Sequence, residues 1–381
     1  MPQLVVITEQ LLAPVPGGTG RYTRELTTAL AASAPPGWTV CGAIARHADP
    51  SAAVLPGVDG PRVLPLGPRA LIAAWERGSM PWPGGDSVHA PTPLAPAGPK
   101  RGRNLVVTVH DTVPWTHPET LTARGVRWHR KVISRAVGAA SAIVVPTTAV
   151  AAELSRHAPG PVRVHPIGHG VPRTLTEPPA EDATDRIRQR LDLPDKYFLA
   201  VGTVEPRKGL DVLVDALARP TAPDLPLVVV GQPGWGDVDL AALAEKHGLP
   251  ADRLRILGQC SDAALAVVLR GATALVVPSR AEGFGLPLLE AMAVGVPVVH
   301  SDAPALVEVA GGTGVLAGRN DPVSLLRALR KVVADPAGNE ARVAAAKARA
   351  ARFTWEHAAR EVWQLHLGLY QATRAGGRAN T

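Results

Sequence analysis

The chain has 381 residues, which is long for a single domain and predicts two. Its hydrophobic content of 46% is typical of a globular protein, and no run of about 18 apolar residues is present to span a membrane. The net charge of +7 suits nucleic acid, an anionic surface or phosphorylated ligands, but no nucleic-acid-binding motif accompanies it. Because Cys41 and Cys260 are the only cysteines and the N-terminus lacks a basic segment, we expect a cytoplasmic protein without disulfides or a signal peptide.

Apolar runs alternate with amphipathic segments along the first half of the chain. Strands are predicted at residues 4–8, 38–44, 62–66, 86–89, 104–109, 142–145 and 162–165. Helices are predicted at 19–32 and 119–140, and a further helix is capped by Thr147 or Thr148. Such alternation predicts βα units around a parallel sheet.

The second half repeats this alternation after a segment rich in proline and charge. We interpret 1–172 as the first domain, 173–195 as a linker, 196–352 as the second domain and 353–381 as a separate final helix. Strands are predicted at residues 197–201, 227–230, 254–257, 274–277 and 296–300. Helices are predicted at 210–218, 240–247, 262–270, 286–294, 304–309, 322–334, 341–351 and 354–373. The fold class is therefore α/β, with two doubly wound domains.

Two carboxylates, Glu282 and Glu290, bracket a glycine turn between a buried strand and a helix. Ligands of open α/β sheets bind at the carboxyl ends of strands, and free amides at a helix N-terminus attract phosphate. The turn and its amides come from Gly283, Phe284, Gly285 and Leu286. Carboxylates beside a phosphate are explained if they contact neutral sugar and ribose hydroxyls. The simpler interpretation is a tight turn with a helix cap.

This segment resembles retaining GT-B glycosyltransferases of family 4. The matching features are the spacing of Glu282 and Glu290, the Gly-Phe-Gly-Leu-Pro between them and the Glu-Ala-Met-Ala-x-Gly-x-Pro-Val that starts at Glu290. The resemblance implies two Rossmann-like domains facing a cleft, with the final helix crossing back to the N-terminal domain. The N-terminal domain would bind the acceptor, and the second domain would bind the nucleotide sugar. Glu282 would contact sugar hydroxyls and Glu290 the ribose.

Two adjacent cations, Arg207 and Lys208, lie in a loop after a predicted strand that ends at Gly202. Such a pair suits a diphosphate, which Arg can bind through two hydrogen bonds and Lys as a point charge. Taken alone, the pair is better explained as solvated loop charges. The segment also resembles the Gly-x-x-x-x-x-Lys-Gly pattern of family 4. We therefore assign both cations to the leaving pyrophosphate and Gly202 and Thr203 to the donor site.

The N-terminal half contributes a glycine loop and a histidine. The loop at 16–22 lacks the dinucleotide G-x-G-x-x-G spacing, which argues against a dehydrogenase. It resembles the Gly-Gly-x-Gly-Arg-Tyr of family 4, which implies that Gly18 and Gly20 line the donor cleft. His110 ends a strand, and its simplest interpretation is structural. The matching His-Asp of the family implies that His110 contacts the transferred sugar, with a general-base role left open.

Gly231 and Asp262 follow two further strands and are weaker candidates for the donor site; Asp262 is equally typical of a helix cap. Metal-dependent GT-A enzymes hold a divalent ion with an Asp-x-Asp pair. Here Asp237 and Asp239 begin a helix, where aspartate is favoured, and the Arg207–Lys208 pair supplies countercharge. We expect no metal and no cofactor.

A basic stripe is formed by Arg124, Arg127, Arg130, Lys131 and Arg135, and Trp128 lies between them. Several of these cations share one face at helical spacing. The favoured interpretation is a solvated helix face. The alternative is peripheral docking onto an anionic membrane, at its inner face, or onto a lipid-diphosphate acceptor.

These observations predict transfer of a hexose from a nucleoside-diphosphate sugar to a hydroxyl of a glycan, lipid-linked or small-molecule acceptor. The resemblance implies retention by a front-face mechanism. GDP-mannose is the preferred donor because the combined motifs resemble bacterial mannosyltransferases, and UDP-sugars stay open. A non-catalytic nucleotide-sugar-binding protein is a further alternative. An epimerase is disfavoured because it would need other catalytic carboxylates. A phosphorylase is disfavoured because it would need a lysine for pyridoxal phosphate and a much longer chain.

Overall fold

The computed structural model describes residues 1–78, 81–234, 236 and 238–378. The chain folds into two compact units. The first unit contains Met1–Thr116, Thr122–Gly170 and the C-terminal segment from Thr354 onward. The second unit contains His117–Leu121 and Val171–Phe353.

The first unit is built on a seven-stranded parallel sheet. Its strands are β1 (Gln3–Ile7), β2 (Thr39–Ile44), β3 (Asp59–Val63), β4 (Ser87–Ala90), β5 (Asn104–Thr108), β6 (Ala142–Val145) and β7 (Val164–Pro166). Their order in the sheet is β3-β2-β1-β4-β5-β6-β7. The order reverses between β1 and β4, which makes their carboxyl ends the switch point of this sheet.

Within the described residues, five helices lie between these strands. They are α1 (Gly17–Ala32), α2 (Pro68–Glu76), α3 (Val113–Thr116), α4 (Ala123–Ala139) and α5 (Thr148–His157). The predicted helix at 119–140 starts later, because Pro118–Thr120 forms a 3₁₀ turn and Thr122 caps α4 by accepting from the amide of Gly125. Sequence reasoning missed α2, whose buried Leu71 and Trp75 lie one turn apart.

The second unit contains a six-stranded parallel sheet. Its strands are β8 (Phe198–Val201), β9 (Leu227–Val230), β10 (Leu254–Gly258), β11 (Ala274–Val277), β12 (Val298–Ser301) and β13 (Val315–Ala317). The order is β10-β9-β8-β11-β12-β13, so the reversal falls between β8 and β11. Sequence reasoning missed β13, which has only three residues.

The helices of the second unit are α6 (Arg173–Thr176), α7 (Glu181–Arg190), α8 (Leu210–Ala218), α9 (Leu240–His247), α10 (Asp262–Gly271), α11 (Leu286–Val294), α12 (Pro304–Ala310), α13 (Pro322–Ala334) and α14 (Pro336–Ala350). Residues 173–195, which we expected to be a linker, contain α6 and α7 and lie within this unit. Acidic residues begin α7 and basic residues end it, which favours a helix through its dipole.

The final helix, α15 (Trp355–Arg378), belongs to the first unit. The indole N–H of Trp363 donates to the carbonyl oxygen of Leu30 in α1 at 3.0 Å, and the Thr373 hydroxyl donates to Asn104 at 2.9 Å. Each unit is thus a doubly wound parallel sheet covered by helices, and the predicted α/β fold class is confirmed.

Candidate functional site

The strand-order reversal of the second unit brings two sequence motifs together. β8 is followed by Gly202, Thr203 and a 3₁₀ turn at Pro206–Lys208, and β11 by the segment that contains Glu282. β8 and β11 are paired neighbours, so both segments leave the same edge of the sheet. The predicted cations and the first predicted carboxylate therefore lie side by side.

The carboxylate of Glu282 is held by three donors. Its Oε1 accepts from Lys208 Nζ at 2.7 Å and from the Ser279 hydroxyl at 2.8 Å. Its Oε2 accepts from Arg207 Nη1 at 3.1 Å. The Glu282 side chain is only 8% exposed, so these contacts replace most of its hydration.

The pKa of Glu282 reflects two opposed causes. Burial raises the pKa of this carboxyl, but Lys208 and Arg207 and the hydrogen bonds from Lys208 and Ser279 outweigh burial and lower it to about 2. Glu282 is therefore ionised at neutral pH.

Arg207 has a second acidic partner. Its Nη2 lies 2.6 Å from Oε1 of Glu205, and its Nη1 also donates to the carbonyl oxygen of Ala281 at 3.0 Å. Two cations, Arg207 and Lys208, thus face two carboxylates, Glu205 and Glu282. We expected the positive charge of Arg207 and Lys208 to balance a diphosphate, but these two carboxylates already balance it. The argument that the cations make a metal ion unnecessary is therefore weaker.

Arg280 connects the two segments and was missed by sequence reasoning. Its guanidinium binds both oxygens of Asp211 at 2.9 and 2.6 Å, and it donates to the carbonyl oxygen of Pro206. Its amide donates to the carbonyl oxygen of Arg207 at 2.8 Å. The only available signal was its position two residues before Glu282. This clamp fixes the turn that carries the cations.

The predicted phosphate-binding turn leads directly into α11. Gly285 is the N-cap, with φ at +91°, and an added Cβ would overlap the buried Leu306, so only glycine fits. Phe284 is buried and packs edge-on against Phe353 at 5.8 Å. Gly283, Leu286 and Glu290 are buried as well. The side chains of Phe284 and Leu286 therefore offer a ligand little surface.

The weaker candidates are explained mainly by local structure. An added Cβ at Gly231 would overlap the carbonyl oxygen of Gly202, so the ends of β8 and β9 need glycine for close packing. Thr203 is partly exposed beside them. Asp262 is not the cap of α10, because Ser261 accepts from the amide of Ala264. Instead, Asp262 accepts from the Thr174 hydroxyl at 3.3 Å.

In the first unit, the predicted glycine loop is the first turn of a helix. α1 begins at Gly17, so Gly18 and Gly20 lie inside it. Gly18 is exposed, whereas Gly20 is buried and donates its amide to the carbonyl oxygen of Pro16 at 2.8 Å.

His110 follows β5 and is partly exposed. Its Nε2 lies 2.8 Å from the carbonyl oxygen of Pro91. Because a carbonyl oxygen only accepts, Nε2 carries the proton and Nδ1 the lone pair. Burial lowers the pKa of His110, although the Pro91 contact and the nearby Asp111 oppose that effect. His110 is a neutral imidazole at pH 7, able to accept a hydrogen bond through Nδ1.

Asp237 of the Asp-x-Asp pair lies outside the described residues. Asp239 caps α9, since its Oδ1 accepts from the amides of Ala241 and Ala242. In the part of the chain that the structure describes, no cluster of three or more His, Cys, Asp or Glu side chains is arranged to hold a metal ion.

The basic stripe on α4 is only partly available to a partner. Arg130 donates to the carbonyl oxygen of Pro114, and Arg135 donates to two backbone carbonyls at the end of α2. Arg124, Arg127 and Lys131 are exposed. Among residues 1–78, 81–234, 236 and 238–378, no helix has both the length and the apolar composition needed to cross a membrane.

Two doubly wound units, with a carboxylate and two cations at the switch point of the second, define a GT-B glycosyltransferase. Residues 180–351 match the family described as "Glycosyl transferases group 1", and residues 16–175 match "Glycosyltransferase Family 4". The chain belongs to glycosyltransferase family 4, whose members retain the anomeric configuration. The family resemblance of the sequence is therefore confirmed.

Among curated relatives, O-antigen chain mannosyltransferase B of Escherichia coli is 32% identical over 269 residues, 68% of this chain and 69% of that protein. D-inositol 3-phosphate glycosyltransferase 1 of Catenulispora acidiphila is 35% identical over 260 residues, 64% of this chain but only 60% of that protein.

Solved structures agree on the fold. Sucrose-phosphate synthase from Thermosynechococcus elongatus superposes with a TM-score of 0.78 at 24% identity, covering 98% of this chain and 100% of that one. Anabaena Alr3699/HepE in complex with UDP and glucose superposes with a TM-score of 0.74 at 18% identity, covering 96% and 99%. At these identities the similarity shows the fold alone.

Proposed function

We propose that this retaining glycosyltransferase transfers mannose from GDP-mannose to a hydroxyl of a glycan, lipid-linked or small-molecule acceptor in polysaccharide biosynthesis. The observation that carries donor binding at the second unit is the Glu282 carboxylate held between Lys208 and Arg207, beside the start of α11. The preference for mannose is supported by the similarity to the Escherichia coli mannosyltransferase.

Lys208 is the first candidate for the donor diphosphate. An ammonium group has three N–H donors, and Glu282 uses one of those of Lys208. Arg207 adds positive charge, and the backbone amides of Gly283–Leu286 add dipoles at the start of α11. In this proposal Glu282 contacts hydroxyls of the sugar and Glu290 the ribose, and Gly202, Thr203, Gly231 and Asp262 complete the donor site.

The proposed reaction replaces one bond at the anomeric carbon. The bond from that carbon to the β-phosphate oxygen breaks, and a bond to the acceptor oxygen forms on the same face of the sugar. The acceptor proton passes to the departing phosphate oxygen, so no enzyme base is required. Lys208 and Arg207 stabilise the charge that develops on the leaving diphosphate.

His110 is proposed to contact the transferred sugar through Nδ1. Its neutral state suits acceptance of a hydrogen bond from a hydroxyl and argues against a general acid. Gly18 and Gly20 are proposed to allow the start of α1 to approach the donor closely.

A UDP-sugar donor is the alternative, since Anabaena Alr3699/HepE is described in complex with UDP-glucose. Thermal melting with GDP-mannose, UDP-glucose, ADP-glucose and dTDP-glucose distinguishes these donors, because a ligand of the folded state raises the midpoint by mass action. We expect GDP-mannose to give the largest increase. A selective increase with UDP-glucose would overturn the mannose assignment.

Arg124, Arg127 and Lys131 form the exposed part of the basic stripe and are proposed to contact an anionic membrane from the cytoplasmic side. Sedimentation with phosphatidylglycerol vesicles at low salt tests this contact. Binding that persists when all three cations are replaced by glutamine would contradict it.

A further inference from the structure

Tyr22 of α1 is the centre of a group of aromatic rings in the first unit. Its ring meets that of His110 edge-on, with centroids 4.6 Å apart and planes at 86°. It also contacts His169 at 4.7 Å and Trp355 at 5.9 Å. Because Tyr22 is buried and three rings surround it, its ring has little freedom to move.

The phenol of Tyr22 is anchored from the opposite direction. Its hydroxyl lies 3.1 Å from Thr108 Oγ1 on β5. Thr108 is the last residue of β5, and His110 follows it by two residues. Tyr22 contacts both, with its hydroxyl on Thr108 and its ring perpendicular to that of His110.

The anchor continues from Thr108 through three more buried side chains. Thr108 Oγ1 lies 3.2 Å from His89 Nε2, His89 Nδ1 lies 3.2 Å from His366 Nε2, and His366 Nδ1 lies 2.7 Å from the Ser87 hydroxyl. All are at most 2% exposed, including Tyr22. His366 belongs to α15, so the chain of hydrogen bonds ties Tyr22 to the C-terminal helix.

The two imidazoles of this chain are neutral. Burial lowers the pKa of His89 to about 3 and that of His366 well below its ordinary value. A neutral imidazole has one donor and one acceptor nitrogen, and both nitrogens of each ring have a partner here. Each hydrogen bond therefore restricts the next, which makes the phenol oxygen a fixed point.

We propose that Tyr22 is a positioning residue for His110 in glycosyl transfer, an inference that rests on the role proposed above for His110. The Pro91 carbonyl fixes the Nε2–H tautomer of His110 and the direction of that bond, but it does not fix the plane of the ring. The perpendicular ring of Tyr22 restricts the plane of the imidazole, so that the Nδ1 lone pair keeps one direction. Among the other titratable groups, Asp111 raises the pKa of His110, and His110 in turn lowers those of His89 and His169.

NMR of ring-labelled histidine tests this without a substrate. The His110 signal is identified by its loss in His110→Gln. In the wild type we expect the Nε2–H tautomer and a pKa below the ordinary value. Tyr22→Leu should let the imidazole turn away from Pro91, which mixes the tautomers and raises the pKa of His110. Tyr22→Phe keeps the ring and should retain the Nε2–H tautomer. An unchanged tautomer and pKa in Tyr22→Leu overturns the proposal.

Trp75→Leu is the matched control for a lost core ring. Trp75 is buried in the same unit and donates its indole N–H to the carbonyl oxygen of Pro81. We expect Trp75→Leu to lower the melting temperature without altering the His110 signal. If it moves the signal as Tyr22→Leu does, general loosening explains the effect and the proposal fails.

Release of GDP from GDP-mannose by slow hydrolysis gives the functional readout. Tyr22→Leu should lower kcat about 10-fold with KM within about 3-fold, and it should cost little more in the His110→Gln background, because paired residues are not additive. Additive losses overturn the proposal. If His110→Gln keeps full activity, the role proposed for His110 is wrong. If the wild type does not hydrolyse GDP-mannose, the proposed donor is wrong. In both cases the NMR result still decides whether Tyr22 positions the ring.

Discussion

The ammonium nitrogen of Lys208 lies 2.7 Å from Oε1 of Glu282, and Arg207 binds the other oxygen of the same carboxylate at 3.1 Å. Because Arg207 also pairs with Glu205, two cations face two carboxylates at the switch point of the second unit before a ligand arrives. An incoming diphosphate would have to share these cations with Glu282. In the proposed donor site, Glu282 would orient the two cations, and the cations would stabilise its ionised form.

The substitution Glu282→Gln distinguishes two roles of Glu282, a contact to the sugar and a counterion for Lys208 and Arg207. Loss of one negative charge leaves Lys208 and Arg207 more attractive to a diphosphate, so calorimetry should show GDP binding that is unchanged or tighter. The kcat of transfer should fall about 100-fold or more, as expected for the loss of a contact that matters in the transition state. Glu205→Gln, which removes the other partner of Arg207, is the control and should cost much less. Weaker GDP binding in Glu282→Gln would contradict this account.

The same carboxylate makes stability depend on acid pH. The folded pKa of Glu282, about 2, lies below its ordinary value of 4.5, so its stabilising contribution is present above about pH 4.5 and is lost as the pH falls towards 2. The shift corresponds to about 3 kcal/mol. Urea unfolding at pH 7 and pH 3 should show that the difference between the wild type and Glu282→Gln shrinks by most of that amount. A constant difference would show that the carboxylate is not held as described.

The buried histidines of the first unit predict a second pH effect. Burial keeps His89 and His366 neutral in the folded state, so the unfolded chain takes up protons first as the pH falls below about 6.5. Stability should therefore decrease between about pH 6.5 and pH 4, by up to about 1.4 kcal/mol per pH unit for each histidine.

His366→Gln should remove the contribution of one proton, which reduces this slope by up to about 1.4 kcal/mol per pH unit. Urea unfolding across the same pH range measures the change. His357, exposed on the same helix, supplies the control, and His357→Gln should leave the slope close to that of the wild type. Equal slopes for the wild type and His366→Gln would argue against a neutral buried imidazole.

Gly285 is expected to tolerate no side chain. Its φ of +91° and the overlap of an added Cβ with Leu306 predict that Gly285→Ala loses about 2–4 kcal/mol of stability. Gly258 has φ at +67° with open space around its Cβ position, so Gly258→Ala should lose only about 1 kcal/mol. Comparison of urea midpoints checks this difference, and similar losses in the two variants would place the cost in backbone strain alone.

Much of the fold follows from the sequence because its signals are local. Alternating apolar runs and amphipathic segments predicted two α/β units, and the sheets confirm that class. The predictions failed where a local signal was weak or ambiguous. Residues 173–195 contain three prolines, yet they form α6 and α7. The glycines at 17–20 suggested a loop, but α1 starts at Gly17 because tertiary packing outweighs their poor helix propensity.

The site was only partly predictable for the same reason. The motifs placed Arg207, Lys208 and Glu282 after neighbouring strands, but their ion pairs join residues 74 and 75 positions apart and depend on side-chain packing. The contact between His89 and His366 spans 277 positions and has no sequence signal at all. The donor and the individual roles of the site residues remain predictions.

The most direct test of the account is the affinity for GDP-mannose of the wild type, Lys208→Gln and Lys196→Gln, measured by calorimetry. Lys196 is an exposed lysine just before β8, whereas Lys208 follows the same strand at its carboxyl end, so both variants lose one charge. We predict that Lys208→Gln weakens binding about 10-fold or more and that Lys196→Gln binds like the wild type. Equal affinities in all three proteins would contradict a donor site at the switch point of the second unit.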